Sequence, residues 1–214
     1  TSQHVGITTT TPQLPAARKI IETVREVRPD ARIILGGPHA TLVNAANKRE
    51  VKRGVRYRAH IALTVLHKLA DVVVAGDGEL AIFEALSRNP SRLIDADDRQ
   101  GVFWLPERVL AELPLPVRHL VDIEGYNYSI EGVRATSLIA QLGCPFQCGF
   151  CGGRFSPMLR HIRTREAASI VHELVHLYEV YGFKGFMFYD DELNVNRSMV
   201  ELMRAISGAQ ERLG

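Results

Sequence analysis

Outside one eight-residue stretch this chain of 214 residues has no cysteine: its three are Cys144, Cys148 and Cys151. That scarcity excludes a disulfide framework, which draws an even number of partners together from distant positions. Charge of one sign is scarce as well. Lys and Arg number 26 against 24 Asp and Glu, so nothing pulls the chain as a whole toward nucleic acid or an anionic membrane. No apolar run approaches the ~18 residues of a membrane span. The first residues lack the charged-then-apolar order of a secretory leader. What is present is 46% hydrophobic and 23% charged residues, the balance of an ordinary globular protein with room for one or two domains. A reducing cytoplasm, where thiols stay free, is the expected compartment.

The cysteines stand as Cys144-Pro-Phe-Gln-Cys148-Gly-Phe-Cys151. Three thiols in one loop suit a single polynuclear metal centre, because thiolates are soft ligands. The C-x3-C-x2-C spacing supplies three ligands, one fewer than a closed site needs. Gly143, Pro145, Gly149, Gly152 and Gly153 mark a loop whose backbone turns tightly, which weighs against three inert buried thiols. A zinc site completed by His161 is the other reading, although the second cysteine knuckle common to such sites is absent.

The spacing, with Phe150 just before the last cysteine, resembles the signature of radical S-adenosylmethionine (SAM) enzymes. The resemblance implies that Cys144, Cys148 and Cys151 each bind one iron of a [4Fe–4S] cluster and that SAM chelates the fourth. It implies that Phe150 contacts the adenine. It further implies that one electron, from a low-potential donor such as flavodoxin or ferredoxin, cleaves SAM to methionine and a 5′-deoxyadenosyl radical.

The first half alternates between two periods. Residues 5–8 form a short apolar strand, and 12–27 place Ala17, Ile20, Ile21, Val24 and Val27 on one helical face. Residues 32–37 are a β-branched run stopped by glycines. A helical stretch runs through Ala62, Val65, Leu66 and Leu69, a strand occupies 71–75, and helical spacing resumes over 80–86. Such alternation implies a parallel sheet with helices on both faces, and ligands at the carboxyl ends of its strands. Residues 35–41 and 74–79 resemble strand-end loops of the cobalamin-binding-type domain that precedes the radical module in many radical SAM enzymes. That resemblance places Gly36, Gly37, Gly76 and Gly78 against cobalamin, although tight strand-to-helix turns use glycine equally. The family's D-x-H-x-x-G is missing around His4, and the first strand resembles the family's third. A piece of a longer protein is therefore expected. The basic stretch 48–60 reads as a solvated helix face rather than a nucleic-acid contact.

Residues 90–116, with their prolines, read as an extended linker. The expected domains are 1–112, cobalamin-binding-type, and 113–214, the start of the radical module. In the second, residues 134–142 form a strand, 166–181 an amphipathic helix ended by Gly182, 185–190 a second strand, and 199–206 a last helix. Asp190, Asp191 and Glu192 close that second strand. An acidic helix start explains them, while the family resemblance assigns such carboxylates to the amino group of SAM. Arg160 and Arg163 are read as surface residues, His39 and His119 as solvent-facing or hydrogen-bonded. The expected fold is α/β: a partial Rossmann-like sheet domain of cobalamin-binding type, followed by the start of a radical SAM (β/α) partial barrel. The function the resemblance implies is cobalamin-dependent methyl transfer to an unactivated carbon of a small-molecule or peptide substrate, with no membrane partner. The alternatives are a cobalamin-free cyclase or rearrangement enzyme, and a non-catalytic zinc- and RNA-binding module.

Overall fold

A computed structural model describes residues 3–213. Its contacts divide the chain into two compact units, one built from residues up to 105 together with 146–160, the other from 106–145 and 161–214.

The first unit is the alternating half. β1 (His4–Thr8), α1 (Leu14–Val27), β2 (Arg32–Gly36), α2 (Pro38–Lys52), α3 (Arg58–Leu69), β3 (Val72–Gly76), α4 (Gly78–Ala85) and β4 (Leu93–Ala96) follow one another. The four strands form one parallel sheet in the order β1-β2-β3-β4. Successive side chains of a strand point to opposite faces, so β2 serves two cores. Ile33 and Leu35 pack with Ile21, Val43, Leu63 and Leu66, while Ile34 packs with Val72, Val74, Ala81 and Ile94. A strand buried on both faces needs the continuous apolar run that residues 33–35 supply.

One sequence expectation is corrected here. Residues 93–96 are not linker but the fourth strand, with Val73 to Gly76 opposite Leu93 to Ala96. Only Ile94 and Ala96 are buried along it, too short an alternation to stand out from its acidic surroundings. The basic stretch is exposed over most of residues 51–58, in keeping with a solvated face. It is the end of α2, a turn at Gly54 (φ 68°) and the start of α3. The Glu50 carboxylate accepts the N–H groups of Tyr57, Ala59 and His60 at 2.9–3.0 Å, capping donors at the helix start that have no partner within the helix.

The second unit begins with α5 (Glu107–Glu112), β5 (Ser129–Ile130), β6 (Val133–Leu138) and β7 (Gln141–Leu142). Beyond the cysteines the chain makes the short α6 (Pro157–Arg160), which groups with the first unit, and then β8 (Arg163–Thr164), α7 (Ala167–Tyr181), β9 (Gly185–Phe188) and α8 (Met199–Leu213). β6 and β9 pair in parallel across the α7 crossover, the first β-α-β step of a barrel. Gly182 ends α7 in the left-handed region (φ 67°), as a helix-terminating glycine does. α7 buries Ile170, Leu174 and Leu177, and Glu173 with them. That carboxylate accepts from Arg118 at 2.8 Å and Arg165 at 2.6 Å, so its charge is answered inside the unit.

Candidate metal and SAM centre

β7 and β8 pair antiparallel, Gln141 opposite Thr164 and Leu142 opposite Arg163, clamping together the two ends of the segment that carries the cysteines. Gly143 turns with φ 85°, and a side chain there would run into the carbonyl of His161. Arg163, expected at the surface, is fully buried. The turn between β6 and β7 is held from β9: the Asp190 carboxylate accepts the N–H of Ala140 at 3.1 Å and that of Gln141. Gln141 Nε2 donates to the Glu192 carbonyl at 2.9 Å. Burial pushes the Asp190 pKa up, and the two amides oppose it. Of the three acidic residues, Asp190 is therefore engaged in shaping the turn, Asp191 is exposed and Glu192 is half-buried.

All three cysteines are free thiols; Cys148 is exposed, while Cys144 and Cys151 are half-buried. The N–H of Cys151 donates to the Cys148 carbonyl at 3.0 Å, making a tight turn. Arg160, also expected at the surface, donates to the Phe146 carbonyl and lies 3.9 Å from Cys151 Sγ. Arg154 donates to the Gly149 carbonyl. Phe150 is 93% exposed. Among the described residues no three His, Cys, Asp or Glu side chains converge as a metal cage, so chain spacing alone gathers the thiols. The donor set nevertheless fits an iron–sulfur cluster: three free thiols within eight residues and no carboxylate in the loop.

The segment after the cysteines is anchored by a residue the sequence did not single out as functional. Asp97, just past β4, is fully buried. Its Oδ1 accepts the Ser156 hydroxyl at 2.6 Å and the Met158 N–H at 2.8 Å, and Lys48 Nζ lies 3.6 Å from Oδ2. Burial pushes its pKa up, against the bonds from Ser156 and Met158 and the charge of Lys48. The post-cysteine arm thus lies at the carboxyl end of β4. Asp97→Ala should cost the first unit about 2–4 kcal/mol, because it strands a buried hydroxyl and a buried N–H together, while Lys48 keeps Asp95 as its partner. Urea denaturation of parent and variant measures this; an unchanged midpoint would show that the arm does not depend on Asp97.

No protein-family model matches the chain. It is 26% identical over 208 residues to an uncharacterized methyltransferase of Pyrococcus horikoshii, covering 90% of this chain and 40% of the relative. It is 26% identical over 206 residues to the anaerobic magnesium-protoporphyrin IX monomethyl ester cyclase of Cereibacter sphaeroides, covering 90% of this chain and 31% of that one. The radical SAM methyltransferase TsrM of Kitasatospora setae, solved with tryptophan and a SAM analogue, has the same fold over 99% of this chain and 41% of its own, at TM-score 0.60 and 20% identity. Most of the chain is thus similar to proteins named as methyltransferases and cyclases, and it shares its fold with a radical SAM methyltransferase. It spans well under half the length of each of these relatives.

The four candidate cofactor glycines divide into two kinds. Gly37 (φ 93°) and Gly76 (φ 100°) have no room for a side chain, because their own chain is in the way. A Cβ on Gly37 would meet Thr8 Oγ1 and lie 2.9 Å from the Thr9 nitrogen. One on Gly76 would lie 2.5 Å from the Asp97 nitrogen. Gly36 ends β2 with ordinary contacts, whereas Gly78 opens α4 with nothing within 4 Å of a Cβ. Of the histidines, His39 is buried with Nδ1 2.9 Å from Thr11 Oγ1, and burial lowers its pKa. An apolar cleft of about 560 Å³ lies among Leu174, Tyr178, Phe186, Phe188 and Ile206; none of the candidate site residues lines it.

Proposed function

We propose that the protein containing this chain is a radical SAM enzyme that uses a [4Fe–4S] cluster and SAM, with cobalamin, to methylate an unactivated carbon in the cytoplasm. The observation that carries this reading is the loop of three free thiols at C-x3-C-x2-C spacing, opened by a β-strand end as the fold requires. When bound, the cluster and SAM supply the reductive cleavage of a sulfonium, chemistry that no side chain offers. The chain's own residues bind and orient. Cys144, Cys148 and Cys151 hold the irons as thiolates, and Phe150, exposed in the middle of the loop, offers a flat apolar surface to the adenine. Asp191 and Glu192 meet the ammonium group of SAM, while Asp190 holds the turn from which the loop departs. Arg160 donates toward the Cys151 sulfur. Gly36, at the end of β2, and Gly78, at the start of α4, would lie against cobalamin, which would serve as the methyl donor.

A second reading is a cobalamin-free cyclisation on the same cluster chemistry; the name of one relative supports cyclisation as such. Anaerobic reconstitution of the full-length protein with iron and sulfide tests both. Equal amounts of iron and sulfide with SAM cleavage support the radical SAM reading. Tight binding of hydroxocobalamin as well selects methyl transfer, and none selects the cyclase. Stoichiometric zinc without SAM cleavage would replace both with a binding module.

A further inference from the structure

The basic end of α2 has no part in the reading above, yet it runs directly to the cysteine loop. The Arg49 guanidinium lies 3.7 Å from the Phe155 ring centroid, and the Arg154 guanidinium lies 4.6 Å from the same centroid. Arg154 also donates to the carbonyl of Gly149, the residue after Cys148. A continuous line of contacts therefore links α2 to the backbone between Cys148 and Cys151. Arg53, one helical turn beyond Arg49, is exposed. Arg49 holds its proton less firmly than a free arginine, through burial first and then repulsion by Arg53 and Arg154.

This positive charge is left without an internal answer. Lys48 is paired with Asp95, and Arg25 with Asp71. Glu50, the carboxylate beside Arg49, is turned onto the N–H groups of Tyr57, Ala59 and His60. Among the described residues no carboxylate forms an ion pair with Arg49, Arg53 or Arg154. Like charges held together cost stability unless something outside the fold uses them. Arginine stacked on an exposed aromatic ring, here Phe155, is the composition of a protein-binding surface.

We propose that Arg49 and Arg53, continuous with the cysteine loop through Phe155 and Arg154, form the docking face for a small acidic one-electron carrier protein. The proposal rests on the radical SAM reading, in which each SAM cleavage consumes one electron. In the transfer the carrier's reduced flavin or iron–sulfur centre loses that electron and the cluster gains it; no bond or proton moves. A carrier seated here lies beside Cys148 and Cys151, and opposite charge raises the encounter rate. Nucleic acid is the poorer fit, because the Phe155 ring that would stack a base already carries guanidiniums.

The test uses the full-length protein with flavodoxin as the probe. Oxidised flavodoxin binding, followed by calorimetry at low salt, needs no cluster and so reads docking alone. Arg49→Glu with Arg53→Glu should weaken it at least tenfold and remove most of its salt dependence, and Arg53→Glu, at an exposed position, should do so in part. In cluster-loaded protein the double variant should be reduced at least tenfold more slowly by flavodoxin hydroquinone, yet at the parental rate by dithionite, with iron content unchanged. Equal flavodoxin affinity in parent and double variant would overturn the proposal, as would tighter binding of a single-stranded RNA oligonucleotide than of flavodoxin. Failure of the parent to assemble a cluster or cleave SAM with dithionite would instead overturn the radical SAM reading, and the calorimetry would still decide the docking face.

Discussion

Cys148→Ala should abolish both cluster assembly and SAM cleavage. Two thiolates cannot hold a cubane with one open iron, and the chain has no fourth cysteine to replace the third. Because Cys148 is exposed, alanine removes almost no packing, and the fold should change by no more than about 0.5 kcal/mol. Loss of iron and sulfide with an unchanged urea midpoint would therefore report ligation and not unfolding. His161→Ala provides the contrast, with iron content expected at the parental level. Iron retained in the cysteine variant and lost in the histidine variant would move the site to zinc.

Gly76→Val should destabilise the first unit by about 3 kcal/mol or more. A left-handed φ costs a non-glycine residue about 1–2 kcal/mol, and overpacking adds about 1–3 kcal/mol. The obstructing atoms are backbone of Ala96 and Asp97, which cannot withdraw without breaking the ladder between β3 and β4. Against a total stability of about 5–15 kcal/mol this is a large loss. A Gly76 or Gly37 variant that fails to bind cobalamin therefore says little about the cofactor. Gly78→Val is the informative change, since its side chain would enter open space. It should leave thermal unfolding unchanged and weaken cobalamin binding. Parental cobalamin affinity in Gly78→Val would remove Gly78 from the cofactor site, and normal stability in Gly76→Val would contradict the packing at the end of β4.

Most elements were legible because their signals are local. The helical stripe of Ala17, Ile21 and Val24 and the apolar run of residues 33–35 each fit one period and one burial state. β4 was not legible: two inward residues are too few to establish a period, and its strand character comes from the neighbouring strand. The same limit hid the arginines. Arg163 is fully buried although nothing beside it in sequence announces burial. Arg160 reaches the Phe146 carbonyl and the Cys151 sulfur only because α6 turns it back onto the loop.

By itself the sequence determined the cysteine loop and the order of strands and helices, since ligand spacing and hydrophobic period are properties of covalent neighbours. Tertiary structure alone decided which residues serve the site by holding it. Asp97 reads as one acid among three near a proline-rich stretch, and it becomes an anchor only when β4 joins the sheet and buries it opposite Ser156 and Met158, 59 and 61 residues away. Asp190 reads as a member of an acidic triplet, and the α7 crossover that returns β9 beside β6 brings it to the amides of Ala140 and Gln141. Gly37 and Gly76 read as cofactor glycines, and the adjacent strand ends show that their own chain already requires them. In each case the deciding partner is distant in sequence, and burial gives the contact its energetic weight.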